Sequence, residues 1–266
     1  MARKTKIISI SLGFVLAIGL IVYGIFINRP TEPEPYEEIA APVVQEPEPI
    51  VIEYVPEYEE EEEPEPLEVP VDFEYLRQIN PDIYAWIYIP GTRVDYPILQ
   101  SVGEDQEFYL YHTYDGLPGA QGSVFTQDYN AKDFFDRNTI LYGHDMRNEA
   151  IFGSLRNYKD EEYRRANDTI IIYTPVSIME YRIVSVVIFD DRHLMYAFDF
   201  EDDIQFMEFI EELLDPIELI YWSEGVEITT DDRIITLSTC TVAWDQRLFV
   251  IAVLEEYVLC AVFHSL

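Results

Sequence analysis

The sequence predicts a mainly β domain with helical insertions, arranged as a barrel or a sandwich. Eight short runs rich in Val, Ile, Tyr and Phe lie between residues 86 and 263, and Gly, Pro, Asn and Asp separate them. This pattern is typical of strands joined by turns. Two stretches with helical spacing of apolar residues interrupt the runs. A tract rich in Pro and Glu separates this region from the N-terminus, so we expect one globular domain at residues 73–266.

The N-terminal end of the chain predicts a transmembrane signal-anchor. Residues 1–6 form a basic region that contains Arg3, Lys4 and Lys6, and residues 7–27 form a run of 21 uncharged residues. A helix of that length crosses a hydrocarbon core of about 30 Å. A cleaved signal peptide is the alternative, but no small-x-small cleavage site follows the run. Because the positive charges precede the run, we expect a single-pass protein of the cell membrane with a cytoplasmic N-terminus and the rest of the chain outside the cell.

Residues 28–72 predict a disordered spacer. Between Pro30 and Asp72 there are ten prolines and sixteen acidic residues, with no Lys or Arg. Such a segment buries too little apolar surface to offset its ordering entropy, and its like charges extend it. A tract that binds calcium or a partner is the alternative interpretation.

The charge of the 266-residue chain is −34, and its distribution excludes one class of function. Residues 1–29 contribute +4, residues 30–72 contribute −16, and the domain contributes −22. A nucleic-acid binder needs a basic surface that displaces counterions from phosphates, so we expect no nucleic-acid partner. Two cysteines are too few for a disulfide framework.

The domain begins with an amphipathic stretch that contains Phe73, Leu76 and Ile79 and is broken at Asn80-Pro81. The eight predicted strands then span residues 86–90, 96–100, 123–127, 138–144, 169–175, 180–189, 233–240 and 248–263. The two helical insertions are predicted at 150–163 and 202–222, and the apolar face of the second extends to Pro216.

One group of residues in the domain predicts thiol chemistry. Cys240 ends a β-type run, and Arg247 begins the next one, so an antiparallel pair of strands joined by residues 241–246 would place Arg247 beside Cys240. His144 ends another run and follows Gly143, which permits a close turn. A thiol needs a base or an imidazolium to become a nucleophile, and a guanidinium can stabilise an oxyanion. The sequence contains no H-E-x-x-H, C-x-x-C or Gly-rich phosphate motif, so we expect no metal and no cofactor.

Each of these residues also has a simpler structural interpretation. A cysteine at a strand end is often buried packing, and Cys260, which lies in an apolar strand, is interpreted as a core residue. A Cys240–Cys260 disulfide is a further alternative outside the cell. His144 alone would be a hydrogen-bonded structural histidine, and Arg247 alone would be a surface ion-pair partner.

The motif text resembles the sortases, and specifically class B. T-L-S-T-C occurs at 236–240, Arg247 follows shortly after, and Y-G-H at 142–144 lies about a hundred residues upstream. The segments W-I-Y-I-P-G-T at 86–92, G-S-V-F at 122–125 and I-F-G-S-L at 151–155 also resemble the family, as does the helical insertion before the Cys240 strand. The resemblance covers residues 73–264.

The resemblance implies a closed eight-stranded β-barrel with N-terminal helices and a long helix between the sixth and seventh strands. It implies that His144, Cys240 and Arg247 are catalytic. Substrate-binding positions implied by the motif are Tyr142, Ser238 and Thr239, and residues 190–196 occupy the loop that reads the sorting signal. Thr241 and Val242 follow the cysteine, so no acidic residue is assigned to orient the histidine.

The leading hypothesis is a membrane-anchored cysteine transpeptidase of a Gram-positive cell surface. Cys240 would cleave the C-terminal sorting signal of a secreted protein through a thioester, and an amine of the cell-wall precursor would accept the acyl group. Polymerisation of pilins through a lysine amine is an alternative. A cysteine peptidase or hydrolase is another, although papain-like enzymes place Cys before His. An anchored surface protein without catalytic activity is the alternative from a different class.

Overall fold

A computed structural model describes residues 68–103 and 105–260. Nine strands and four α-helices are present in this part of the chain. In order they are α1 (Phe73–Ile79), β1 (Ile83–Tyr88), β2 (Asp95–Gln100), β3 (Val124–Thr126), β4 (Asn138–Tyr142), α2 (Glu161–Ala166), β5 (Thr169–Thr174), β6 (Ser177–Asp190), α3 (Leu194–Ala197), α4 (Asp203–Leu214), β7 (Glu218–Trp222), β8 (Ile234–Cys240) and β9 (Gln246–Leu259). Two 3₁₀ turns lie at Phe108–Leu110 and Gly153–Lys159.

Eight of the strands close into a barrel. They pair in the order β5-β1-β2-β3-β4-β8-β9-β6, and β6 pairs with β5 to complete the ring. The pairs β2–β3 and β4–β8 are parallel, and the other pairs are antiparallel. Closure removes the exposed edges that an open sheet would present. All eight predicted strands are present, and the predicted closed barrel is confirmed.

Three of the four helices in the described residues begin at an aspartate that caps them, and α3 has no side-chain cap. The Asp72 side chain accepts a hydrogen bond from the amide of Tyr75, and the Asp202 side chain accepts from the amides of Ile204 and Gln205. These bonds satisfy amides that lack a partner within the helix. The predicted long helix between the sixth and seventh barrel strands is α4, which ends at Leu214.

The second helical insertion ends earlier than predicted. Residues 218–222 form strand β7, which pairs antiparallel with β6 as a ninth strand outside the barrel ring. Pro216 cannot continue a helix, and the β-type residues that follow it extend along β6 instead. The first insertion, predicted at 150–163, also differs, because a 3₁₀ turn precedes the short helix α2.

Side chains alternate between the two faces of the barrel wall at β8 and β9. Ile235 and Leu237 belong to the cluster that fills the barrel. Ile234 and Phe249 belong to a second cluster on the outer face, where α4 packs through Phe206 and neighbouring residues. Because successive strand residues point to opposite faces, Cys240 and Arg247 lie on the outer face together with Ile234 and Phe249.

The domain boundaries predicted for residues 1–6, 7–27 and 28–72 fall almost entirely outside the described residues. Within 68–103 and 105–260, no helix is both long enough and apolar enough to span a bilayer. The predicted span at 7–27 therefore stays a prediction.

Candidate active site

Cys240 and Arg247 are direct partners across the β8–β9 ladder. The turn formed by residues 241–246 joins the two strands, as the sequence predicted. Directly opposite residues of an antiparallel pair project to the same face, with Cβ atoms about 4.5–5.5 Å apart. The register therefore places the thiol beside the guanidinium. Cys240 is an exposed free cysteine.

The parallel pairing of β4 with β8 brings His144 to the same end of the sheet. Tyr142 pairs with Ser238, and the Gly143 amide donates a hydrogen bond to the Ser238 carbonyl at 3.2 Å. His144 follows Tyr142 by two residues, as Cys240 follows Ser238. Both residues thus continue the outer face of the barrel wall.

All six predicted site residues line one cleft of about 170 Å³. They are Tyr142, His144, Ser238, Thr239, Cys240 and Arg247. Residues 191–194, which precede α4, form another wall, so the predicted sorting-signal loop borders the cleft. A larger groove of about 520 Å³ lies against α1, but no cysteine or histidine lines it. The thiol chemistry therefore belongs to the smaller cleft.

The imidazole of His144 is held by a main-chain carbonyl. His144 Nε2 lies 2.8 Å from the carbonyl oxygen of Leu110. A carbonyl can only accept a hydrogen bond, so Nε2 carries the proton and Nδ1 keeps the free lone pair. Sequence reasoning could not find this partner, because a main-chain carbonyl has no residue-type signature. The Phe152 amide also donates to the His144 carbonyl at 3.1 Å, which fixes the main chain of the histidine.

Only some of the hydrogen-bond donors of the Arg247 guanidinium have a partner. Its Nη1 donates to the carbonyls of Trp244 and Gln246, at 3.1 and 3.0 Å. Within the described residues it forms no ion pair with a carboxylate and no other hydrogen bond. The Nη2 and Nε donors are thus available to an oxygen atom in the cleft.

Thr239 and Ser238 are almost wholly buried, at 3% and 6% exposure. The Thr239 hydroxyl donates to the Gly143 carbonyl at 2.7 Å. Glycine is needed at position 143 because of side-chain packing and not because of a turn. A Cβ there would lie 2.7 Å from a ring carbon of Phe152, so glycine is required by that contact.

Two further cleft residues, Glu107 and Gln127, escaped the sequence reasoning, and they come from two separate loops. Arg192 and His193 also line the cleft and belong to the predicted sorting-signal loop. Gln127 Oε1 and His193 Nδ1 are buried without a hydrogen-bond partner in the described part of the chain. Burial lowers the pKa of His193, and nearby Glu107 acts in the opposite direction. Arg192 is engaged by Asp190 and Glu212.

The predictions about the two cysteines have clear outcomes. Cys260 is 8% exposed, as a core residue should be. Both cysteines are free, so the alternative of a Cys240–Cys260 disulfide is wrong. Among residues 68–103 and 105–260, no group of His, Cys, Asp and Glu side chains is arranged to hold a metal ion.

Comparison with known proteins identifies the family. The sortase domain matches residues 87–255. Sortase B of Listeria monocytogenes is 33% identical over 165 residues, which make up 62% of this chain and 65% of that relative. The match thus spans slightly less than two thirds of the Listeria protein. Sortase B of Staphylococcus aureus is 30% identical over 183 residues, or 68% of this chain and 73% of that relative.

A solved structure supports the same assignment. A Staphylococcus aureus sortase B–substrate complex superposes with a TM-score of 0.62 and 29% identity, over 71% of this chain and 87% of that chain. The barrel fold, the matched sortase domain and these relatives agree. The chain therefore belongs to the sortase family and, within it, to class B.

Proposed function

We propose that the chain is a cysteine transpeptidase that acts through Cys240, His144 and Arg247. The observation that carries the proposal is the convergence of these three side chains in one cleft, with Cys240 and Arg247 opposed in the β8–β9 ladder. The exposed thiol is the nucleophile, and the adjacent histidine transfers protons.

The reaction proceeds in two halves. The Cys240 thiolate attacks a peptide carbonyl of the substrate, and the free Arg247 donors stabilise the oxyanion that forms. The imidazolium of His144 gives a proton from Nδ1 to the departing amine, and a thioester remains on Cys240. An incoming amine then attacks the thioester and loses a proton to Nδ1, which releases the new amide and the thiolate. Nδ1 handles the proton because Nε2 is held by the Leu110 carbonyl.

Membership of the family supports the choice of substrates and location. The acyl donor is a secreted protein with a C-terminal sorting signal, and the acceptor is an amine of the peptidoglycan precursor. Residues 7–27 anchor the enzyme in the cell membrane with its N-terminus in the cytoplasm, and residues 28–72 are the spacer to an extracellular domain. The similar Staphylococcus aureus sortase B was solved as a complex with a substrate, which supports the assignment of a substrate cleft.

A product assay tests this function. An NPxT-type peptide is incubated with the domain, with and without an amine acceptor. We expect a peptide–amine conjugate that depends on the amine and disappears in Cys240→Ala. Hydrolysis at the same rate with and without amine would instead indicate a peptidase, and conjugate formation by Cys240→Ala would exclude the proposed nucleophile.

A further inference from the structure

The carbonyl that holds His144 lies on a short element. Leu110 ends the 3₁₀ turn Phe108–Leu110, which is only three residues long. Such turns have poorer hydrogen-bond geometry than α-helices. The position of the Leu110 oxygen therefore depends on what anchors the turn to the rest of the domain.

Tyr109 provides that anchor from the centre of the turn. Its side chain is 2% exposed, and its hydroxyl donates to Asp82 Oδ2 at 2.6 Å and accepts from Asn80 Nδ2 at 2.9 Å. Asn80 is the C-cap of α1, where its amide donates to the Leu76 carbonyl. Burial and the Asp82 hydrogen bond raise the pKa of Tyr109, so the hydroxyl stays protonated and keeps its donor role.

Gly122 packs closely against the other side of the same turn. It has a φ of +59°, and a Cβ at this position would lie 2.5 Å from the Leu110 oxygen and 2.8 Å from the Tyr109 oxygen. The neighbouring Ser123 amide donates to the Tyr109 carbonyl at 2.9 Å. The turn is thus held between the junction of α1 with β1 and the segment that leads into β3.

We propose that Tyr109 is a positioning residue for His144, which it orients through the Leu110 carbonyl. The hydroxyl, fixed between Asn80 and Asp82, sets the place of the turn, and the turn sets the carbonyl that keeps the proton on His144 Nε2. This inference rests on the proposed role of His144. It adds a support that starts at the end of α1, far from the histidine in the sequence.

The first test compares Tyr109→Phe with Tyr158→Phe. Tyr158 is also fully buried, and its hydroxyl donates to the Asn167 carbonyl at 2.6 Å, so its loss is a matched control for a missing buried hydrogen bond. Long-range ¹H–¹⁵N spectra of the His144 ring report its tautomer without any substrate. We expect Tyr109→Phe to convert part of the Nε2–H form to Nδ1–H and to lower kcat about tenfold with KM nearly unchanged. Tyr158→Phe should do neither.

A second pair keeps the test decisive if Tyr109→Phe fails to fold. Gly122→Ala places a methyl group against the Leu110 oxygen, whereas Gly225→Ala imposes the same type of backbone strain at φ +74° with no atom within 4 Å. Only Gly122→Ala should change the tautomer. A His144 ring that stays in the Nε2–H form in both Tyr109→Phe and Gly122→Ala would overturn the inference. A tautomer change without a change in kcat would support the positioning and contradict the proposed role of His144.

Discussion

The Thr239 hydroxyl donates a hydrogen bond to the Gly143 carbonyl across 2.7 Å, and this bond joins the two strand ends that carry the candidate nucleophile and the candidate base. Thr239 precedes Cys240, and Gly143 precedes His144. Because β4 and β8 are parallel, both residues leave the sheet at the same edge. A buried polar contact at that point restricts how far the thiol and the imidazole can separate.

The first prediction concerns this bond. Thr239→Val keeps the side-chain shape but leaves the Gly143 carbonyl without its partner, so stability should fall by about 1–3 kcal/mol. We expect kcat to fall about tenfold as well, because the candidate nucleophile and the candidate base lose the hydrogen bond that joins their strand ends. Thr236→Val is the matched control, since Thr236 donates to Asn138 on the same pair of strands, away from the cleft. Equal kcat values in the two variants, measured beside urea unfolding curves, would show that the tether has no catalytic effect.

Arg247→Lys tests the guanidinium. Lysine keeps the positive charge but has only one nitrogen atom. The guanidinium can bind the carbonyls of Trp244 and Gln246 with one nitrogen and an oxyanion with another, and the lysine ammonium cannot. We expect kcat to fall about 100-fold. Arg233→Lys is the control, because Arg233 also donates to a main-chain carbonyl but lies at the other end of β8. Steady-state transpeptidation rates decide the matter, and a kcat for Arg247→Lys near that of Arg233→Lys would argue against an oxyanion role.

The strands could be predicted from local alternation of side chains, whereas the closed barrel and the roles of the site residues came from the resemblance to the class B sortases. Eight β-type runs predicted eight strands, and the short turn after Cys240 predicted its pairing with Arg247. Strand β7 was missed because its residues directly follow a helical stretch. Its pairing with β6, which the sequence does not show, makes these residues a strand and not the end of a helix. The Leu110 carbonyl and the Gln127 side chain were missed because loops bring them to the cleft by tertiary packing.

The half-buried His193 of the cleft wall should make stability depend on pH. Burial lowers the pKa of His193 from its ordinary value of 6.5, so the unfolded chain binds a proton that the folded chain resists. Stability from this group is present above about pH 6.5 and is lost as the pH falls toward the folded pKa. We expect the urea midpoint of His193→Gln to fall less than that of the unaltered protein between about pH 7 and about pH 5. The same decrease in both proteins would show that His193 has no such effect.

The most direct test of the proposed mechanism is detection of the covalent intermediate, in which Cys240 carries the acyl group of a sorting signal. The domain is mixed with an NPxT-type peptide without an amine acceptor, and the intact protein is weighed by mass spectrometry. We predict an added mass equal to the N-terminal fragment of the peptide less one water, as expected for an acyl group that replaces the thiol hydrogen of Cys240, and its removal when an amine is supplied. Conjugate formation with no such adduct, or an adduct on the Cys240→Ala protein, would contradict the thioester mechanism.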